Sequence, residues 1–163
     1  MTVPLARCAL LAGALAGCST GYAPPPSAAA SVHFVNNTPL PMALHLYDEA
    51  SECKGRHVLK ALRPQEDREV LVQGGKDVAF AIVHDVKLDY TPYERLATGC
   101  MATLSFKPVV DGRYVFRMDS DGYRCVYQFN EASKSKEEQP APVAFIKREP
   151  ARATSEAGPF CRR

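Results

Sequence analysis

Two Asp-Gly pairs, Asp111-Gly112 and Asp121-Gly122, punctuate a stretch in which apolar residues fall at every second position. Tyr114, Phe116 and Met118 lie between them, and Tyr123, Cys125, Tyr127 and Phe129 follow. Successive side chains point to opposite faces of a strand, so an apolar period of two marks one buried face. Asp-Gly suits the two central positions of a tight hairpin turn, where φ is positive. This segment is therefore predicted to form consecutive β-hairpins, and the rest of the chain has to supply a partner for their apolar face.

The same alternation recurs upstream. Ser31 to Val35 reads as a strand turned by Asn36-Asn37-Thr38-Pro39, and Met42, Leu44 and Leu46 alternate with Ala43, His45 and Tyr47. Arg68 to Val72 is another strand, with Gly74-Gly75-Lys76 as the next hairpin turn. Val78, Phe80, Ile82, His84, Val86, Leu88 and Tyr90 share one side of a long run, while Ala79, Ala81 and Val83 make its first half apolar on both sides. That half is expected to be a central strand. Either one strand spans the run or His84-Asp85 breaks it into a hairpin. Ala102, Leu104 and Phe106 form a further face.

Between these, Glu49 to Leu62 shows no clear period and suggests at most a short strand or helical turn near Val58. Glu131 to Pro142 is charged and aperiodic, a long surface loop. Val143 to Lys147 is expected to be a last, edge strand stopped by Pro150, with the tail irregular unless Cys161 pins it. Roughly seven or eight short strands, with turn signals about every eight to twelve residues and no amphipathic helix, predict an all-β fold. The expected form is a two-layer antiparallel β-sandwich of immunoglobulin- or transthyretin-like architecture, with a partly closed barrel as the alternative.

The N-terminus carries a different signal. Met1 to Arg7 holds one basic residue, and Cys8 to Gly17 is apolar. About ten apolar residues are too few for a hydrocarbon core that needs roughly 20 helical ones. The run closes on Leu15-Ala16-Gly17-Cys18, which resembles the lipobox of a bacterial lipoprotein signal peptide. The resemblance implies that Leu15, Ala16 and Gly17 are recognised by the signal peptidase, the last two being small enough for its cleft. Cleavage would then fall before Cys18, which would carry diacylglycerol and an amide-linked acyl chain such as palmitate. Two or more chains anchor stably, at ~0.8 kcal/mol per buried CH₂.

The resemblance divides the chain into a signal peptide (1–17, with Cys8 lost on cleavage), a lipidated tether (18–31) and a domain (32–163). In the tether Pro24-Pro25-Pro26 favours a stiff extended geometry, so about a dozen residues reach at most ~40 Å. The chain would be tethered to a membrane without spanning it. Ser19 stands where an Asp would retain a lipoprotein at the inner membrane, so the family rule places it at the periplasmic face of the outer membrane. Phe106-Lys107-Pro108 with Gly112, Tyr114 and Cys125, and the ending Gly158-Pro159-Phe160-Cys161, resemble small uncharacterised envelope lipoproteins of Gram-negative bacteria.

Setting Cys8 and Cys18 aside leaves Cys53, Cys100, Cys125 and Cys161, an even number that in an exported domain reads as two disulfides. No Cys-x-x-Cys pair or ligand spacing of His33, His45, His57 and His84 supports a zinc site. Of three possible connectivities, Cys53–Cys100 with Cys125–Cys161 is favoured here. Each would close a loop of roughly 35 to 50 residues, worth ~4 kcal/mol in the chain-entropy model. Removing Arg7 from 20 basic residues leaves 19 against 18 acidic ones, a balance that gives no electrostatic case for nucleic acid.

Weighed individually, the remaining candidates read as structure. Gly74-Gly75-Lys76 lacks the leading glycine of a phosphate loop and is followed by Asp77. His84 and Asp85 would point to opposite faces, and no Gly-x-Ser-x-Gly supplies a nucleophile. Asn36-Asn37-Thr38 matches a glycosylation sequon but reads as a turn. Asp48, Glu49 and Glu52 match no calcium loop. Tyr114, Phe116, Tyr123, Tyr127 and Phe129 read as core, and Lys147, Arg148, Arg152, Arg162 and Arg163 as a solvated tail. No catalytic residue, metal or cofactor is expected. The expectation is a non-enzymatic binding or scaffold module with an envelope protein as partner, similar in architecture to the transthyretin-like lipoproteins of secretion machines. The alternative is an inhibitor of lysozyme or a protease, presenting Lys87 to Gly99 or Glu131 to Pro142 to a catalytic cleft.

Overall fold

The computed structural model describes residues 21–84, 89–91, 94–96, 100–120, 125–133, 140–155 and 157–162. Leu15, Ala16, Gly17 and Cys18 lie outside them, as do Cys8, Ser19, Asp85, the Asp121-Gly122 turn, Tyr123, Arg163, and the middles of both loops considered for an inhibitor. Among the described residues every regular element is a strand: β1 (Ala29–Asn36), β2 (Met42–Glu49), β3 (Lys54–Leu62), β4 (Asp67–Gln73), β5 (Val78–His84), β6 (Asp89–Thr91), β7 (Glu94–Leu96), β8 (Met101–Phe106), β9 (Arg113–Ser120), β10 (Cys125–Glu131), β11 (Ile146–Lys147), β12 (Glu149–Pro150) and β13 (Cys161–Arg162).

Two sheets stack as a sandwich, one ordered β10-β9-β1-β4 and the other β11-β8-β5-β2-β3, while β6–β7 and β12–β13 form two small ribbons. The all-β, two-layer reading is correct. One pair departs from antiparallel order: β1 lies parallel to β9, Val32 opposite Tyr114 and Phe34 opposite Phe116. The cause is a change of sheet. β8 finishes at the end of the sandwich where β1 begins, and the turn after it hands the chain to the other layer, so β9 sets out in the direction of β1. Asp111-Gly112, predicted to turn a hairpin, instead joins strands of different sheets.

The strand directions define two ends. At the entry end β1 begins beside the β4–β5 and β8–β9 turns: the Gly74 N–H donates to the Ala28 carbonyl (2.8 Å), Gly75 to Pro108 (2.7 Å) and Asp111 to Ala29 (2.8 Å). Gly74 is required there, because a Cβ would come within 2.7 Å of the Ala28 oxygen. The β2–β3 turn, which holds Cys53, belongs to the same end. The far end gathers the β1–β2 and β3–β4 turns and the starts of β8 and β10.

β3 is nine residues long where the sequence suggested little. It is an edge strand, and a bulge opposite Met42 and Leu44 places Leu62 and Leu59 as their partners. The inward positions are thus three apart, which erases the period of two. β5 ends at His84, and Asp85 to Leu88, where the long run is expected either to continue or to turn, lie outside the described residues. Val143 to Lys147 contains the two-residue β11 at the edge of its sheet, beside β8.

Inward residues of both sheets make one core. Phe80 sits at its centre, with the rings of Phe34 at 5.1 Å, Phe116 at 5.3 Å and Phe129 at 5.7 Å, all near edge-to-face. Such pairs add ~0.5–1.5 kcal/mol each beyond their area burial. Tyr114, Phe116 and Phe129 of the aromatic series are buried here, and Tyr127 stacks on Phe116 at 5.8 Å.

A second cluster lies on the other face of β5. Ala79 and Ala81, with Tyr47, Ala50 and Cys53, are covered by Phe160 and Cys161 of the tail. The tail is therefore a strap across the outer face of this sheet. Arg148 anchors it: its N–H donates to the Thr103 carbonyl (2.8 Å) and its Nε to Ser105 Oγ (2.9 Å). Arg148 is only 7 % exposed, which corrects its reading as part of a solvated cluster. Arg162 does remain exposed, paired with Glu149.

The two disulfides join Cys53 to Cys161 and Cys100 to Cys125, with Cα separations of 5.3 and 5.7 Å. The pairing favoured from sequence, Cys53–Cys100 with Cys125–Cys161, is thus overturned. Cys53 lies at the entry end and Cys100 at the far end, separated by the length of β5, about seven residues at ~3.3 Å each. A disulfide spans a Cα separation of at most ~7 Å.

Candidate functional site

The entry end is where the chain leading from Cys18 meets the fold. β1 starts at Ala29, two residues before the expected Ser31, so Ala29 and Ala30, expected in the tether, are strand residues paired with Gln73 and Val72. The preceding segment is docked as well. The Tyr22 hydroxyl donates to the Leu71 carbonyl on the free edge of β4 (2.6 Å), and its ring meets His57 of β3 edge-on at 5.4 Å. Tyr22 thereby bridges the open side of the sandwich, where the edge strands of the two sheets face each other. Arg68 reinforces that closure by donating from β4 to the Lys60 carbonyl of β3.

Burial, with Asp48 nearby, raises the Tyr22 pKa above the ordinary phenol value. The hydroxyl therefore stays protonated and keeps its donor role at neutral pH. His57 Nε2 sits 2.8 Å from Asp48 Oδ1, leaving Nδ1 buried with no hydrogen-bond partner among the described residues. Beneath the segment from Tyr22 to Pro25 runs a cleft of about 340 Å³, floored by Leu46, Val72 and Val78 and rimmed by Asp48, Lys76 and Asp77.

At the far end, the residues weighed as a sequon and as half a catalytic pair prove to be one buried knot. Asn36, Thr38 and His84 are each at most 1 % exposed. Asn36 Oδ1 accepts from the Thr38 N–H (3.1 Å), an Asx turn, while Asn36 Nδ2 donates to Leu40 (2.9 Å) and Arg63 (3.0 Å) carbonyls. His84 Nδ1 is 3.1 Å from the Pro41 carbonyl, which only accepts, so this nitrogen carries the proton and Nε2 faces Thr38 Oγ1 at 3.4 Å. Burial lowers the His84 pKa, so the ring is neutral at pH 7. The knot ties the β1–β2 and β3–β4 turns to the end of β5.

The other candidates separate. Gly74-Gly75-Lys76 is the β4–β5 turn, with Gly75 at a φ of 75°, but it passes the chain from one sheet to the other and so is not the hairpin expected. Asp48 is taken by His57, Glu49 by Ser51 and Glu52 by Lys54. Among the described residues no three His, Cys, Asp or Glu side chains converge on a metal position. The base of the Glu131 to Pro142 excursion closes on β10, Glu131 donating to Ala141 and Val143 to Phe129.

Sequence reasoning passes over Tyr22, weighs His57 only as a metal ligand and reads Arg148 as part of a solvated tail. Only Tyr22 carried a signal, as the sole aromatic residue in an otherwise small and proline-rich tether. The chain matches no family model and no protein of curated function.

Proposed function

We propose that this chain is a lipoprotein of the bacterial cell envelope, anchored through Cys18 and acting as a non-enzymatic binding or scaffold module at the periplasmic face of the outer membrane. The observation that carries the reading is the run Leu15-Ala16-Gly17-Cys18 closing a short apolar segment four residues ahead of Tyr22, where the folded domain begins. A rigid sandwich supports it: two disulfides tie the entry end and the far end separately, and the histidine weighed for catalysis is spent on structure. An envelope protein docking on an edge strand or on the loop ends is the expected partner.

The test has two parts. Expression in a Gram-negative host with an alkyne-bearing fatty acid should label the chain, and intact mass should show a protein beginning at Cys18 with its acyl chains. Cys18→Ser should abolish the label and leave the protein soluble. Labelling that survives Cys18→Ser, or a mature N-terminus elsewhere, would remove the anchor from the proposal. In-cell crosslinking of the acylated form, read by mass spectrometry, then tests for a defined envelope complex. Recovery of abundant neighbours alone would count against the scaffold role.

A further inference from the structure

The geometry points to a membrane-facing surface: we infer that the entry end of the sandwich rests on the bilayer, with Val109 and Val110 of the β8–β9 turn dipping into the headgroup layer. The inference rests on lipidation of Cys18.

Chain length is the first constraint. Tyr22 is fixed to β3 and β4, so the segment expected to act as a long spacer is folded back onto the domain. Four Cα steps separate Cys18 from Tyr22, a reach of at most ~14 Å. The Leu71 carbonyl that holds Tyr22 lies three residues from Gly74, about 10 Å from the entry end along β4. The far end is the more distant of the two: four residues of β4, about 13 Å, separate Leu71 from Asp67, and the β3–β4 turn lies beyond. An anchor on so short a lead holds the domain against the lipid, and the entry end is the nearer of the two ends to it.

Surface chemistry then selects the end, because Met101 and Val126, exposed at the far end, stand on strands of different sheets. Val109 and Val110 are adjacent in sequence and 63 % and 49 % exposed, at the tip of a turn that packs on Gly74 and receives the Asp111–Ala29 hydrogen bond. The flank near Tyr22 also has exposed apolar residues, Val58 and Leu71. These cannot meet one plane, however. Leu71 lies between the inward Val70 and Val72, and Val58 is opposite His45, between the inward Leu44 and Leu46, so each points away from the core on a different sheet. Charge does not choose between surfaces, since Lys76, Lys107 and Arg113 stand beside Asp77, Asp111 and Glu131 at this end. The anchor and the valine tip decide it. Amphipathic surfaces of this kind sink ~5–10 Å into the interface.

The natural chain contains no tryptophan, so a single one reports its own depth. Full-length acylated Val110→Trp would be reconstituted into phosphatidylethanolamine–phosphatidylglycerol vesicles, with or without bromine on the acyl chains near the headgroups. Val126→Trp, 57 % exposed at the far end, and Val58→Trp on the flank serve as comparisons. The expected result is a blue-shifted Val110→Trp emission quenched on the order of twofold by brominated lipid, with the other two unquenched. Vesicle-bound protein whose Val110→Trp is unquenched, or whose Val58→Trp is quenched instead, would overturn the inference while leaving the lipid anchor intact. Protein that fails to float with the vesicles would remove the anchor and this surface together.

Discussion

The inner core and the strap cluster bury residues on opposite faces of the same strand, β5, and are held by different forces. On the inner face Phe80 and Ile82 meet an entire second sheet, and aromatic rings fill the space between the layers. On the outer face Ala79 and Ala81, beside Tyr47 and Ala50, are covered by a tail that has little regular structure of its own. The first is maintained by apolar area and close packing. The second depends on one covalent link, Cys53–Cys161, which closes 108 residues, and on the hydrogen bonds of Arg148. Area secures a layer that covers the whole sheet, whereas a thin strap has to be fastened.

Phe80→Ala is the sharpest way to break the inner side of this comparison. A cavity surrounded by Phe34, Phe106, Phe116 and Phe129 cannot collapse without moving both sheets, so a loss of about 3–5 kcal/mol is expected in denaturant unfolding. A loss under about 1 kcal/mol would mean that the neighbouring rings close the gap and that the two layers are held together chiefly by other contacts.

The strap should respond differently. Cys53→Ser combined with Cys161→Ser is expected to cost about 2–4 kcal/mol. More tellingly, trypsin should cut at Lys147, Arg148 and Arg152 under conditions where the sandwich stays intact, because the strap can detach without unfolding β5. If the double variant instead unfolds in one transition with no early cleavage in the tail, the two clusters are a single cooperative unit and the distinction falls.

The smallest effect concerns pH and the knot at the far end. The folded pKa of His84 is depressed by burial below its unfolded value near 6.5, and His45 shifts the same way through burial and the nearby Arg56 charge. The unfolded chain therefore binds more protons between the folded and unfolded pKa values. The stabilising contribution is complete above pH ~6.5 and declines as pH falls through that window. Thermal unfolding followed from pH 7.5 to 5 should show a falling midpoint, and His84→Gln should flatten part of the slope. An unchanged slope in that variant would assign the pH response to other groups.

Much of the inner core was readable because alternation is local. Phe80, Leu104, Phe116 and Phe129 were all placed inward by counting positions along single strands. Ala79 and Ala81 also announced a second buried face, but not its cover, since a strap of Arg148, Phe160 and Cys161 has no period to detect. β3 escaped for a related reason: its bulge puts Leu59 and Leu62 three residues apart on one face. The candidate surface at the entry end was legible only in fragments. The tether was recognised by its prolines, but its length as a free spacer was overestimated, because the Tyr22 clamp needs the edges of β3 and β4 brought side by side.

What this sequence determined alone was the type of its elements: strands from the period of two, turns from Asp-Gly and Gly-Gly, and an even set of cysteines available for pairing. These follow from backbone sterics and side-chain direction, which act over a few residues. Which strands became neighbours, the parallel pairing of β1 with β9, the partners of Cys53 and Cys100, and the burial of Arg148 were decided only in the tertiary structure. Each depends on which end of the sandwich a segment reaches, and that is set by where the chain changes sheet, a choice made by packing two whole layers together.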